Sequence, residues 1–494
     1  MARVIVVGGS VAGLGVALAM SRGGHRVTVL EKDATPFPAD PVEAFECWDR
    51  RGAPQVRHSH AFLARVRNLL RDRAPDLLDA LLAAGAEEMP LASLFTPEID
   101  DASPQPGDDD LVSLLCRRIT FEWVLHRAAL DAPDVSLRDG CDVTGLVSKE
   151  HPTEGLPVVT GVRLRTSAGG EVLPADWVID ASGRRSKLGS WIQEIGGEAP
   201  EEESEPCGIF YCSRFYRLVP ESPTPARQAV IGADLGYLKY GIFQGDSGIF
   251  SLTFAAPPDD DPLRALLRVG PFEVAAEILP ATRAWVAPEV SQPISDVHGM
   301  GNLNNTRRRF IRNGRPLALG VLPIGDAVMH TNPLYGRGCT FALVHAWLAA
   351  DAVADHPHDP HAAALALEQA TEREILPWYE LTLSQDRDAT EVARELRDPA
   401  AETRVEPEAG APVDPKSFLR DLMRRGLIPA LRSDATVLRA SLRSFNLLDP
   451  PGDLMRNPEL LQRVLASYQR RNEREEPELG PDRATMLEAL CSAA

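Results

Sequence analysis

The chain has 494 residues, 44% apolar and 25% charged, with 52 Lys+Arg against 71 Asp+Glu and a net charge of −19. This composition excludes a disordered chain and a repetitive fibre, and the length corresponds to about three domains of roughly 100–200 residues. The acidic balance argues against nucleic-acid binding and against anionic membrane surfaces, which both call for a basic face.

Residues 4–7 predict a buried strand, 11–22 a helix stopped by Gly23-Gly24, and 27–30 a second strand ending in Glu31. The uncharged stretch 4–20 imitates a signal peptide, but Gly8, Gly9, Gly13, Gly15 and the strand that follows predict folded structure instead. No other uncharged run reaches the roughly 18 residues that a membrane span needs, so no span and a cytoplasmic location are expected. A Pro- and Arg-rich loop runs to residue 57. Apolar spacing predicts helices over 60–74 and 119–130, with an acidic surface loop over 97–110 between them. Residues 158–164 and 172–179 flank Gly169-Gly170 and predict a hairpin leading back to the first sheet. From 205 to 320 the chain turns strand-like and carries nine aromatics between Phe210 and Phe254 (Phe 15, Trp 7 and Tyr 7 in all). They fit either a plain sheet core or the wall of an apolar pocket, and the two can coexist. A strand over 317–324 precedes Gly325-Asp326, a second glycine loop and a helix over 340–354. A Pro- and acid-rich linker is expected at 398–415, then helices, one starting at Asn457-Pro458-Glu459. The acidic runs 108–110, 201–203 and 259–261 read as solvated loops. Seven scattered cysteines without Cys-x-x-Cys predict buried reduced thiols.

Gly8-Gly9-Ser10-Val11-Ala12-Gly13 follows a strand and opens a helix. Its glycines permit a tight turn and the approach of a pyrophosphate to the helix N-terminus. Ser10 replaces the second motif glycine, and its hydroxyl could donate to a phosphate. Glu31 stands where an acid binds ribose hydroxyls. NAD and FAD share this fingerprint. The second loop, Asn332-Pro333-Leu334-Tyr335-Gly336-Arg337-Gly338, again opens a helix after a strand ending in Gly325-Asp326. Asp326 can accept from ribityl hydroxyls, and amides near Gly336 and Gly338 can face a flavin pyrimidine edge.

With these motifs the chain resembles the FAD-dependent monooxygenases of the aromatic-hydroxylase type. That superfamily also includes geranylgeranyl reductases, flavin halogenases and polyether-type epoxidases. The resemblance spans about residues 1–355 and is carried by 4–31, 117–125, 176–186 and 323–338. It implies an α/β fold: a Rossmann-like FAD-binding domain interleaved with an antiparallel β-sheet substrate domain, then a helical C-terminal region. The expected division is 1–204 (with a substrate-facing insert at 75–115), 205–316, 317–360 and 361–494. The resemblance places FAD against Gly8, Ser10, Val11, Ala12, Gly13, Glu31, Lys32, Arg57, Arg118, Val143, Asp326, Pro333, Gly336 and Gly338. Arg118, Phe121 and Leu125 match an Arg-x-x-apolar-x-x-x-Leu helix start, and Val143 sits where a backbone contact to adenine is usual. Asp180-Ala181-Ser182-Gly183 departs from the Asp-Gly of aromatic hydroxylases, which bears on whether NADPH reduces the flavin directly. Gly52-Ala53-Pro54-Gln55-Val56-Arg57-His58-Ser59-His60 resembles the epoxidase-like tailoring enzymes of natural-product biosynthesis and is expected along the flavin.

The implied activity is transfer of oxygen from a C4a-hydroperoxyflavin, as hydroxylation or epoxidation, to an apolar aromatic or alkene-containing small molecule. O₂ and FAD are required, with NAD(P)H or a separate flavin reductase as electron source. No side chain need be a nucleophile; His60 and Arg337 are the candidates for proton or charge management. The alternative is a reductase or dehydrogenase of the same fold. The Trp-x-Trp-x-Ile-Pro segment of halogenases is absent, since Trp191-Ile192-Gln193-Glu194 stands alone, and no lysine is an obvious counterpart of the halogenase one. A non-catalytic carrier is the third reading. No metal is expected, because His58 and His60 lack a visible third ligand.

Overall fold

The computed structural model describes residues 1–150, 155–220, 222, 225, 231–397, 415–474 and 478–493. Val4 to Val7 are apolar throughout and form a strand buried on both faces, β1 (Arg3–Val7). Helix α1 (Val11–Arg22) and strand β2 (Arg26–Leu30) complete the first βαβ unit. The loop expected to reach residue 57 contains α2 (Pro41–Cys47). Asp40 caps it by accepting from the amides of Val42 and Glu43, and Pro41 occupies the first turn. The helix expected over 60–74 begins later, as α3 (Ala64–Arg73), because Phe62 bridges to Leu114 in extended form. Its N-terminus is capped from 382 residues away, where Asn446 Oδ1 accepts from Ala64 N at 2.8 Å.

After α4 (Pro75–Ala83) come the antiparallel strands β3 (Glu87–Pro90) and β4 (Val112–Leu115), α5 (Arg118–Asp131) and β5 (Val135–Arg138). Strands β6 (Asp142–Glu150), β7 (Pro157–Thr166) and β8 (Gly169–Pro174) form the hairpin layer. The run read as one strand over 172–179 is broken at Ala175-Asp176, and β9 (Trp177–Asp180) joins the parallel sheet. A short α6 (Leu188–Glu194) leads to β10 (Glu201–Pro206). Residues 201–203 are therefore not a solvated loop. Across the ladder Glu201, Glu202 and Glu203 face Arg309, Arg308 and Arg307, so unlike charges pair along a strand.

The antiparallel segment that follows holds β11 (Phe210–Leu218), β12 (Gly232–Asp234), β13 (Lys239–Gln244) and β14 (Ile249–Ala256). Two helices interrupt this strand-like stretch, α7 (Val269–Ile278) and α8 (Pro280–Val286). Then follow β15 (Ser291–Pro293), β16 (His298–Met300), β17 (Asn304–Arg309), the ribbon β18 (Ile311–Arg312) and β19 (Arg315–Pro316), β20 (Val321–Pro323) and β21 (Met329–His330). Helices α9 (Gly338–Asp355), α10 (Pro360–Glu374) and α11 (Leu376–Glu395) follow. Residues 398–414 of the expected linker lie outside the described residues. Beyond them come α12 (Pro415–Leu422), α13 (Ile428–Ser433), α14 (Ala435–Phe445), α15 (Asp453–Arg456), α16 (Pro458–Gln469) and α17 (Arg483–Ser492).

The parallel sheet runs β20-β9-β1-β2-β5, and the antiparallel sheet runs β12-β13-β14-β11-β15 with β16 also on β11. Alternation divides the aromatics between its two faces. Phe210, Tyr216, Tyr237, Tyr240, Phe250 and Phe254 form a core with Phe272 of α7, Trp285 of α8 and Met486 of α17. Tyr211 and Phe215 point the other way, toward the parallel-sheet half of the molecule. Asp260 is no solvated loop residue either; it is buried in a bidentate pair with Arg483. Between the halves, buried Asp246 accepts from Arg117 N (2.7 Å), Arg117 Nη2 (2.6 Å) and Thr120 Oγ1 (2.9 Å), fixing the β13–β14 turn to the start of α5. The insert over 75–115 packs on the C-terminal helices: Leu91 and Leu111 meet Leu438 of α14, and Asp108 pairs with Arg439. Of the cysteines, Cys47 and Cys491 are exposed; the others are buried, and all are free.

Candidate functional site: a crevice between two helix N-termini

Strand order reverses between β1 and β9, and a crevice opens at the carboxyl ends of such strands. Gly8, at φ +103°, donates its amide to Leu30 O, and an added Cβ would come 2.6 Å from Ala181 O. A Cβ on Gly13 would overlap Gly8 O outright. Only glycines allow this closeness of strand, turn and helix. Helix α9 lies against α1, with the position of a Gly15 Cβ only 2.7 Å from Leu343 Cδ2, and Gly325 touches Ala12 in the same sense at 3.1 Å. The two glycine loops are thus neighbours although more than 300 residues separate them. Around the N-terminus of α9, Gly338 has open space where a Cβ would be, and Pro333 is exposed. Half-buried Asp326 lies at the same edge, and its carboxylate accepts no hydrogen bond from the described residues. Gly325, before it, is held by His345 of α9. The amide donates to Nδ1 at 3.1 Å, and Nε2–H therefore faces Thr371 Oγ1 at 3.0 Å.

Behind the first loop lies a buried ionic cluster that the sequence did not disclose. Glu122 accepts from Arg50 Nε (2.9 Å), from Arg118 Nε and Nη2 (3.2 and 3.1 Å) and from Ser10 Oγ (3.0 Å). Burial alone would push the Glu122 carboxyl up, but Arg50 and Arg118 outweigh it and hold it below the usual range. Arg50 also donates to Gly9 O, and Glu31 accepts from the amides of Gly9 and Asp33, both at 2.9 Å. The hydroxyl of Ser10 therefore gives its proton to Glu122 and accepts from Arg118 (3.0 Å); it is committed within the protein. Arg118 extends from this cluster to Cys339 Sγ and toward His60 Nε2.

The remaining sequence candidates divide. Val11 and Ala12 open α1 beside Gly325. Val143 is buried on β6 opposite Leu164. Lys32 is exposed and pairs with Asp142, and Arg57 donates to Phe45 O. Arg337 turns away from the crevice: it donates to Thr382 Oγ1 (2.7 Å) and Trp378 O of α11 and lies over the Tyr335 and Trp378 rings. Asp386 on the same helix accepts from Asn332 (2.8 Å), Tyr335 (3.0 Å) and Asn305 (2.7 Å). The second glycine loop is thus fastened to α11 at both ends, and Asp386 does this without any motif to announce it. Asp180 does likewise for the third motif: its carboxylate accepts from Ser182 and Ser186, so the Ser182 hydroxyl is also committed internally.

His60 Nδ1 lies 3.0 Å from the His58 carbonyl, which can only accept, so Nδ1 carries the proton and Nε2 faces Arg118. His58 is buried against β11. Burial, with His298 adding a little, lowers His58 to about 3; burial lowers His345 to about 4. Both rings would be protonated in the unfolded chain below about pH 6.5. The stability they contribute is complete above that pH and is lost as pH falls toward 4 and 3, by up to about 1.4 kcal/mol per pH unit for each ring. We expect the urea midpoint to fall between pH 6.5 and 4, and His345→Gln to flatten that fall; a flat wild-type profile would show that neither ring is held neutral.

No family model matches the chain. Protein Rv3254 of Mycobacterium tuberculosis is 29% identical over 360 residues, which cover 69% of this chain and 71% of that protein. Among solved structures, p-nitrophenol 4-monooxygenase of Pseudomonas putida is 18% identical with a TM-score of 0.60, covering 91% of this chain and 100% of its own. The myxobacterial chondrochloren halogenase is 16% identical with a TM-score of 0.58 (95% and 97% covered). A probable FAD-dependent monooxygenase of Pseudomonas aeruginosa, PqsL, gives 16% and 0.56 (82% and 100% covered). The chain shares the α/β fold of these three structures. Among the described residues no helix is long and apolar enough to cross a membrane.

Proposed function

We propose that the protein is an FAD-dependent monooxygenase that hydroxylates or epoxidises an apolar aromatic or alkene-containing molecule in the biosynthesis of a natural product, in the cytoplasm. The observation that carries this reading is the meeting of two glycine loops at the carboxyl ends of the parallel strands, with helix N-termini for the pyrophosphate and an Asp326 carboxylate free of protein hydrogen bonds among the described residues for hydroxyl donors. The residues fit FAD: Gly8, Gly13 and Ala12 clear the backbone approach, Asp326 accepts, and the Arg337 and Gly338 amides remain for the flavin edge, the Gly336 amide being taken by Pro333 O. Bound there, FAD supplies redox chemistry and oxygen activation; the protein binds, orients and excludes water. Arg118 and Glu122 set the field behind the first loop, and Asp386 and Arg337 hold the second in shape. Electrons come from NAD(P)H or a separate flavin reductase. Halogenation is disfavoured, because the Trp-x-Trp-x-Ile-Pro segment is absent, Trp191 of α6 is buried in the core, and Lys239 is paired with Asp234 at 2.8 Å.

With a substrate in hand, the product should gain one atom from isotopically labelled dioxygen. Anaerobic conversion with a two-electron change and no oxygen gained would replace this reading by a reductase or dehydrogenase. Asp326→Ala is expected to lower flavin occupancy and leave the melting temperature near wild type, since it removes no protein hydrogen bond. Glu31→Ala should lower both, since Gly9, Asp33 and Arg50 all depend on that carboxylate. Equal flavin content in Asp326→Ala and wild type would remove Asp326 from the site.

A further inference from the structure

Four hydroxyls and one imidazole, from the loop before α3 and from strands β11 and β14, form an unbroken row. His58 Nδ1 is 3.2 Å from Ser213 Oγ, Ser213 Oγ is 2.7 Å from Thr253 Oγ1, and Thr253 Oγ1 is 2.6 Å from Ser59 Oγ. Ser59 Oγ donates to Ser251 Oγ at 2.7 Å. A hydroxyl has one proton to give. Ser59 gives its proton to Ser251, so it accepts from Thr253. Thr253 has then used its proton and accepts from Ser213. Ser213 accepts in turn, so its partner must be a donor, His58 Nδ1–H. A neutral imidazole carries one N–H, so His58 Nε2 is a bare lone pair.

That nitrogen has no partner among the described residues. The ring stands edge-on to Tyr211 at 4.7 Å and near His298 at 6.5 Å. These two lie on the sheet face turned away from α7 and α8. Tyr211 also belongs to a small apolar cluster against which Met300 and Leu334 pack, and Leu334 comes from the second glycine loop. The lone pair therefore sits where the substrate sheet meets the loop that would hold the flavin.

We propose that His58 Nε2 is a hydrogen-bond acceptor for the substrate, its lone pair fixed in place by the row Ser213, Thr253, Ser59 and Ser251. The site then selects an apolar molecule bearing a hydroxyl or amino donor over its methylated counterpart. The substrate part of this inference rests on the oxygenase reading above; the tautomer does not. His58 is a substrate-binding group positioned by Ser213, and burial keeps it neutral at ordinary pH.

The test is nuclear magnetic resonance on the full chain carrying isotope-labelled histidine, with His58 assigned through His58→Gln. The expected result is an Nδ1-protonated His58 in wild type, with or without added FAD, and a shift toward the Nε2-protonated form in Ser213→Ala. Phenol should move the Nε2 resonance saturably and anisole should not. An Nε2-protonated His58 in wild type overturns the proposal without any variant being made. So does a resonance that neither probe moves, or that both move alike. Flavin content, read separately by absorbance, reports on the oxygenase reading: a correct tautomer in a chain that takes up no FAD would sink that reading alone.

Discussion

Glu122→Ala is expected to destabilise the protein by about 3–5 kcal/mol, the usual cost of removing one partner from a buried ionic group. The carboxylate is fully buried and pairs with two guanidiniums, Arg50 and Arg118, that are themselves buried. Arg50 would keep longer pairs with Glu31 (3.4 Å) and Asp33 (3.9 Å), whereas Arg118 has no other ion-pair partner among the described residues. Glu122→Gln keeps the shape and some acceptor capacity but not the charge, so its loss should be smaller. The readout is urea unfolding at neutral pH. A loss under about 1 kcal/mol, the range of exposed pairs, would mean that solvent reaches the cluster.

Gly13→Ala is expected to lower FAD affinity by more than about a hundredfold, or roughly 2.8 kcal/mol, and to reduce the yield of folded protein. The new Cβ would fall on Gly8 O. Gly8 cannot retreat freely, because its amide is bonded to Leu30 O and a Cβ there would already stand 2.6 Å from Ala181 O. The strain must therefore open the turn proposed to face the pyrophosphate. Gly338→Ala is the control. It begins α9 with open space around the added atom, so fold and melting temperature should be unchanged. Wild-type FAD affinity in Gly13→Ala would show that the turn is looser than its contacts indicate.

What could be read from the sequence was whatever depends on local pattern. The bounds of α1 are those the apolar run and Gly23-Gly24 prescribe, and Asn457 caps α16 as its Asn-Pro-Glu signature requires. Misread elements were governed by partners distant in the chain. Residues 201–203 look like a solvated acidic loop until Arg307, Arg308 and Arg309 are placed opposite them. Asp260 looks exposed until Arg483 arrives from the C-terminal helix. Asp40-Pro41 was a legible helix start hidden in a stretch rich in Pro and Arg. In the site, the glycines and Asp326 follow motifs, but Arg50, Glu122 and Asp386 carry no signature. Their roles exist only once β1, α5 and α11 are packed together. Arg337 shows the converse: its position in the loop suggested a charge facing the cofactor, while the helix beneath supplied better acceptors.

FAD binding between the two loops is read most directly by titrating the flavin-free protein with FAD and following flavin fluorescence. A chain that holds FAD between the N-termini of α1 and α9 should quench it saturably at one equivalent per chain, with weaker binding in Asp326→Ala. A folded wild-type protein that gives no saturable quenching would show that the two loops do not hold FAD.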